Sequence, residues 1–385
     1  MQQWLSLPHS PVANALFHQP NYEKYPLDLV YCPECNHIQL ASAPDPDGVF
    51  SSYRYKSGVS NFFIKHFKEY AETISARFET PGKLLEIGSN DGYLLEQFKN
   101  LGWDVIGVEP SEYLREDHND RFVPVVTGFF NTKLVEELNW EDQFDVICAN
   151  NVLAHIPDME NVAEAISIAL KDGGTLVVEC GDQIGIANGT NLDNVYHEHI
   201  DYYNPYSFSK LIGKYGLSVI SVETVNSHGT SFRAICQKTT PIRELERQPY
   251  ISRIYPKRDK EGLEVNWTRA IYMDWALRNI YTTIEERRKK MQNLISNRHF
   301  VAYGAAAKAV TALYTLELVN ENLIGVVDDN ELKQNCYFPG TGIMITSPEA
   351  LDKDALVVIT AWNVYEDIKA KLVARGHRGE ILCMQ

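Results

Sequence analysis

From Lys83 onward, short apolar runs alternate with stretches of helical spacing. KLLEIGS, DVIGVEPS, FDVICANNV and GTLVVECG read as buried strands. DGYLLEQFKNLG and NVAEAISIALKDGG read as helices, the second closed by Gly173-Gly174. This alternation predicts a parallel sheet covered on both faces. LSVISVETV and SFRAICQK predict a late antiparallel strand pair, and residues 60–78 a helix ahead of the first strand. Residues 239–262 are charged, carry Pro241, Pro249 and Pro256, and read as a linker. Over 262–298, Trp267, Ile271, Trp275, Leu277, Ile280, Ile284 and Met291 recur at helical steps. A second α/β series follows in FVAYGAAAKAVTAL, LIGVVDDN, ALVVITAWN and GEILCMQ. The expected fold is therefore α/β, with two Rossmann-like sheets and a small N-terminal piece. The expected boundaries are 1–55 for that piece, 56–240 for the first sheet, 241–298 for a linker and long helix, and 299–385 for the second sheet.

Composition narrows the function. A chain of 385 residues suits two or three domains. A net charge of −15 disfavours binding to a nucleic-acid backbone, and the one basic run, Arg287-Arg288-Lys289-Lys290, falls on the long helix. No stretch approaches the ~18 apolar residues of a membrane span. The opening MQQWLSLPHSP has neither the basic start nor the apolar run of a secretory leader. Seven scattered cysteines, paired in sequence only at Cys32 and Cys35, point to a reducing cytoplasm. The acidic charge is compatible with a monomer.

The first chemical signal is LLEIGSNDGYLLEQF. Gly88 and Gly92 allow a tight turn and close backbone approach between a strand and a helix, with Asp91 and the new helix facing the same crevice. This is not the G-x-G-x-x-G dinucleotide fingerprint. Glu86, Gly88 and Gly92 form an E-x-G-x-x-x-G turn that looks like motif I of the S-adenosylmethionine methyltransferases. Glu109 ends the second strand, where an acid can accept the hydroxyls of a ribose. Asn150 and Asn151 end the fourth, where such enzymes place residues beside the sulfonium. Asn90 and Pro110 complete the candidate cofactor set.

A methyl donor needs an acceptor, and NLDNVYHEHIDYY offers Tyr196, His197, Glu198 and His199. In an extended chain Tyr196 and His199 would lie on opposite faces unless the segment turns. His197 reads as a packing residue. Taken with YPLDLVYCPECNHIQL, YRYKSGVSNFF, EIGSNDGYLL, GVEPS, ANNVLAHIPD, SHGTSFR and VAYGAAAKAVTAL, in that order along the chain, this segment resembles the sugar C-3′-methyltransferases that act on nucleotide-linked 4-keto-deoxysugars. The resemblance implies that a methyl group is added to C3 after a base removes its proton. It implies catalytic roles for Tyr196, Glu198 and His199, with His155 of AHIPD in the same pocket. His199 is the expected base, Glu198 an orienting group, and Tyr196 and His155 donors to the enolate oxygen.

The resemblance further implies that aromatic residues such as Tyr53 and Tyr55 cover the site. It implies that the C-terminal domain helps hold a sugar nucleotide, with Lys308, Asp328, Lys333, Trp362 and Asn363 as candidate contacts. Arg233 is expected to meet either a phosphate or an acid on the sheet. Cys32 and Cys35 form one knuckle of the family's zinc site, but the earlier C-x-x-C of that pattern does not occur here, so zinc has an incomplete ligand set. Two rival functions stay open: O- or N-methylation on the same scaffold, and non-catalytic nucleotide binding.

Overall fold

The structure is a computed structural model that describes residues 1–42, 61–227, 230–239 and 270–384. Its contacts divide the chain into two compact units. One comprises Met1–Pro44, Gln183–Ile200 and Thr268–Gln385; the other comprises Asp45–Asp182 and Asp201–Trp267.

In the first unit the N-terminal residues form antiparallel strands β1 (Gln2–Ser10), β2 (Tyr25–Tyr31) and β3 (Ile38–Leu40). Leu5 faces Leu29, Leu7 faces Leu27 and Leu29 faces Leu40, so these leucines are buried together on the ribbon.

The second unit begins with helix α1 (Asn61–Ser75). Strands β4 (Lys83–Ile87), β5 (Asp104–Glu109), β6 (Val125–Thr127), β7 (Phe144–Asn150) and β8 (Leu170–Gly181) are parallel. Helix α2 (Tyr93–Asn100) follows β4, and α3 (Met159–Ala169) lies between β7 and β8. A two-residue strand β9 (Asp201–Tyr202) and helix α4 (Pro205–Gly213) lead to β10 (Leu217–Val225) and β11 (Ser231–Lys238). The sheet order is β10-β11-β8-β7-β4-β5-β6, and only β11 runs against its neighbours. Strand order reverses at β4, which opens a crevice at the carboxyl ends of β4 and β7. Leu84, Val146, Cys148 and Val177 face one way, under Phe63, Phe67 and Tyr70 of α1 and Phe98 of α2. Leu85, Ile147, Leu176 and Val178 face the other way, under Val162 and Ile166 of α3 and Phe208 of α4. Both faces are covered, as the unbroken apolar runs require.

The helix expected to run to Gly173-Gly174 ends at Ala169. Leu170 is already extended, fully buried and paired with Phe144, so burial in the sheet overrides its helical spacing.

Returning to the first unit, helix α5 (Ala270–Ile295) buries Met273, Ala276, Ile280, Ile284 and Met291. Trp275 lies outside that stripe and is exposed, unlike the periodicity expected of it. The expected linker beyond Thr239 and the expected helical positions 262–269, Trp267 among them, fall outside the described residues. Parallel strands β12 (Phe300–Tyr303), β13 (Leu323–Val327), β14 (Ile345–Thr346), β15 (Leu356–Ile359) and β16 (Ile381–Cys383) are ordered β14-β13-β12-β15-β16. Helices α6 (Ala307–Thr315) and α7 (Tyr365–Ala374) follow β12 and β15. The α/β reading of both halves is what the structure shows. Among the described residues, no helix is long and apolar enough to cross a membrane.

Candidate functional site

The turn after β4 takes left-handed backbone at Gly88 (φ 67°), Asn90 (φ 50°) and Gly92 (φ 73°). A Cβ at Gly88 would stand 2.7 Å from Val152, and one at Gly92 would stand 2.9 Å from His118, so neither tolerates a side chain. Glu109, at the end of β5, clamps this turn. Its carboxylate accepts from the backbone N–H of Asn90 (2.9 Å) and of Ser111 (3.0 Å). Burial pushes its carboxyl up to about 7 even against those donors. Half-buried Pro110 carries the chain into the turn beyond. Glu86 is pushed well above the carboxylate range, first by burial and then by the charges of Asp91 and Glu109, with Asn150 opposing. Asp91 is buried, and its nearest cation, Arg121, also pairs with Glu96 at 2.7 Å.

Three carboxylates thus converge where β4, β5 and β7 end. Glu86 Oε2 and both Asn150 amide atoms are buried with no hydrogen-bond partner among the described residues. A ligand with a positive charge, an ammonium group and ribose hydroxyls matches the acidic and amide oxygens here, and S-adenosylmethionine has all three. Glu86, Gly88, Asn90, Asp91, Gly92, Glu109, Pro110, Asn150 and Asn151, the expected cofactor residues, all sit at this crevice. Asn151 is left-handed (φ 53°) and donates its N–H to the Glu179 carbonyl at 2.7 Å. Half-buried His155 follows on a short 3-10 turn, Leu153–His155.

Two features of this unit escape sequence reasoning. His118 is fully buried; its Nδ1 donates to the Leu114 carbonyl (2.9 Å), which leaves Nε2 to accept from the Ser89 hydroxyl (2.9 Å). Glu179, paired in register with Asn150, accepts from His66 Nε2 (2.9 and 3.1 Å), Ser227 Oγ (2.6 Å) and Arg233 Nη2 (2.9 Å). Burial works to raise this carboxyl, but His66, Arg233 and Ser227 together hold it below its ordinary value. Arg233 therefore meets an acid on the sheet, and it also reaches Glu223 at 2.9 Å. The acid within the apolar run VVECG was a visible signal for this cluster; its helical partner His66 was not.

In the other unit, YHEH is not extended. His199 N–H bonds to the Tyr196 carbonyl (2.9 Å), closing a turn that brings Tyr196 and His199 together. The Tyr196 hydroxyl lies 2.8 Å from His199 Nε2, and the ring centroids are 4.0 Å apart. His199 Nδ1 lies 2.8 Å from the Asn194 carbonyl. His197 points elsewhere, into the N-terminal strands, with Nε2 at 3.1 Å from the Pro26 carbonyl and its ring edge-on to Tyr25. Glu198 is fully buried and accepts from the Asn14 N–H at 2.7 Å. Burial raises its carboxyl, with the Asn14 N–H opposing. The Asn14 contact ties Glu198 to the N-terminal loop.

One turn upstream, Asp193 accepts from Trp362 Nε1 at 2.7 Å. Lys308 stands 5.9 Å from the Trp362 ring centre at the start of α6. Burial pushes the Lys308 ammonium down, with Asp193 opposing, and the same two influences act on Arg287. A small cavity here is lined by Asp193, Arg287, Thr315 and Trp362 among others. Asp328 and Lys333 are engaged with each other and with the backbone. Asp328 accepts from the Ala305 N–H (2.7 Å) and the Asn330 N–H (2.8 Å) and pairs with Lys333 (3.3 Å). Lys333 also donates to the Ala305 carbonyl at 3.1 Å, so this pair braces the loop after β12. Asn363 lies on the turn Trp362–Val364. Tyr53 and Tyr55 fall outside the described residues.

Cys32 and Cys35 form a tight knuckle. Asn36 N–H bonds to the Cys32 carbonyl at 2.7 Å, and Cys32 N–H bonds to the His37 carbonyl at 2.9 Å. Among the described residues no group of three or more His, Cys, Asp or Glu side chains is placed to hold a metal ion, so a zinc site is not supported.

Residues 62–222 match a family described as a methyltransferase domain, and residues 226–384 match one described as a C-methyltransferase C-terminal domain. C-methyltransferase NovU of Streptomyces niveus is 28% identical over 349 residues, spanning 89% of this chain and 82% of that protein. A ubiquinone biosynthesis O-methyltransferase of Rhodopseudomonas palustris is 29% identical over 99 residues, 25% of this chain and 38% of its own length. A SAM-dependent methyltransferase structure from Archaeoglobus fulgidus aligns with a TM-score of 0.40 and 15% identity, over 46% of this chain and 94% of its own. With a donor crevice that fits its ligand and both domains matched in order, the chain is an S-adenosylmethionine-dependent methyltransferase whose C-terminal part is similar to a C-methyltransferase C-terminal domain.

Proposed function

We propose that the enzyme methylates C3 of a nucleotide-linked 4-keto-6-deoxysugar. The observation that carries this reading is the segment Asp193–His199. Its aspartate accepts from Trp362 and acts on two partly desolvated cations, Lys308 and Arg287, and its other end carries a tyrosine–histidine pair. The first end suits a diphosphate with an aromatic platform for a base or sugar; the second suits proton removal beside a ketone.

S-adenosylmethionine supplies an electrophilic methyl group when bound. The chain's residues do the rest. Glu86, Asp91, Glu109 and Asn150 hold and neutralise the donor at the carboxyl end of the sheet. Lys308 and Arg287 take the charge of the diphosphate, which restores the stabilisation that burial removes from them. His199 supplies the basicity, because imidazole is the side chain that titrates near neutrality. C3 can then act as a nucleophile once its proton has gone, and correct placement of the two ligands contributes most of the remaining rate.

Calorimetric titration tests this division of labour. S-adenosylhomocysteine should bind the wild-type chain one to one, and thymidine or guanosine diphosphate should bind the loaded protein. Lys308→Ala should weaken the nucleotide by roughly tenfold to a hundredfold, the size of a lost charge-assisted hydrogen bond. It should leave S-adenosylhomocysteine within about twofold, since Lys308 is not in the donor unit. Equal loss of both ligands, or no nucleotide binding by wild type, would refute the assignment.

A further inference from the structure

We propose that the atom receiving the substrate proton is the Tyr196 phenol oxygen, with His199 acting behind it in a two-residue relay. This rests on the C-methylation reading above. The hydrogen-bond chain runs Asn194 carbonyl, His199 Nδ1, His199 Nε2, Tyr196 hydroxyl, with both contacts at 2.8 Å. A carbonyl only accepts, so Nδ1 carries a hydrogen. In the neutral ring Nε2 then has a lone pair and no hydrogen, and the hydrogen shared with Tyr196 belongs to the phenol. The lone pair that would make His199 a base is therefore already engaged by Tyr196. The tilt of 33° between the rings and the turn joining residues 196 and 199 keep it so. A substrate proton reaches that lone pair directly only if the bond breaks; it reaches it through the phenol without any rearrangement.

The step balances. The C3–H bond breaks and its electron pair passes into the C3–C4 bond, leaving the negative charge on the ketone oxygen. The proton bonds to the Tyr196 oxygen while the phenol's own proton moves to His199 Nε2. The products are an enolate, a neutral tyrosine and an imidazolium whose Nδ1–H stays on the Asn194 carbonyl. A free phenol titrates near 10 and an imidazole near 6.5, so a phenol alone is a poor proton acceptor at neutral pH, whereas one that passes its proton on is adequate. Asn194 is a positioning residue: its carbonyl fixes the tautomer. The Glu198 carboxylate accepts from the Asn14 N–H and is not a member of this chain of hydrogen bonds.

The test is hydrogen exchange at C3 in deuterated water. It uses the full chain loaded with S-adenosylhomocysteine and thymidine- or guanosine-diphosphate-linked 4-keto-6-deoxyhexose as probe. Wild type should exchange the C3 proton. Tyr196→Phe and His199→Gln should each lose about 10²–10⁴-fold in exchange rate, the usual worth of a general base. The double variant should be no slower than the singles within about threefold, because the two residues act as one unit. Retained binding of thymidine or guanosine diphosphate, whose proposed contacts share a unit with Tyr196 and His199, certifies that each variant is folded there. If Tyr196→Phe exchanges at the wild-type rate, or if the two losses multiply, the relay is wrong and the residues act separately. If wild type exchanges with neither probe, the C-methylation reading fails and the relay falls with it.

Discussion

Glu109 shows how a single residue trades stability for binding. Its carboxyl is held near 7 in the folded chain against an ordinary 4.5. Between those values the folded protein keeps a proton that the unfolded chain has released. Unfolding free energy therefore falls as pH rises through that window, by up to about 3 kcal/mol. Glu109→Gln should flatten the pH dependence of thermal stability between pH 5 and 8, and weaken S-adenosylhomocysteine by about tenfold or more. An unchanged pH dependence in the variant would mean that another group carries it. Glu109 was legible in the sequence because an acid closing the second strand of an α/β unit has few purposes. Glu198 was less so. Its partner Asn14 lies 184 positions away, and no local pattern records that contact. Tyr196 and His199 lie on opposite faces in an extended reading, and only the turn between them makes a pair.

At the scale of elements, the row formed by Asn150 on β7, Glu179 on β8 and Arg233 on β11 matters most. Glu179 is buried and ionised, and Arg233 supplies its principal fixed charge. Removing the guanidinium would strand that carboxylate, so Arg233→Ala should cost about 3–5 kcal/mol, read as a lower urea midpoint. The double variant Arg233→Met with Glu179→Gln should recover a large part of it, because the uncompensated charge is gone. A loss below about 1 kcal/mol in the single variant would show the pair to be solvated. Strand existence in this region, the β10–β11 pair included, was readable from the sequence. The end of α3 was not, since Leu170 follows helical spacing yet belongs to β8 through its pairing with Phe144. The burial of Met273 and Ala276 rather than Trp275 on α5 was equally hidden: periodicity sets a stripe, and packing partners set its phase.

At the scale of the molecule, the N-terminal strands, the YHEH turn and the C-terminal sheet belong to one unit and the donor crevice to the other. The N-terminal piece, which reads from sequence as a separate segment, contributes Asn14 to the same unit that contains Glu198. The donor half is legible because its signals are local: glycines in a turn and acids at strand ends. The acceptor half depends on contacts across long sequence separations, such as Asp193 with Trp362, 169 positions apart. The most direct measurement supplies S-adenosylmethionine labelled with carbon-13 in its methyl group, together with nucleotide-linked 4-keto-6-deoxyhexoses, and reads the product by heteronuclear magnetic resonance. The labelled methyl should be bonded to sugar carbon C3, which has lost its own hydrogen. A labelled methyl on oxygen or nitrogen, with the C3 hydrogen still in place, would contradict C-methylation outright.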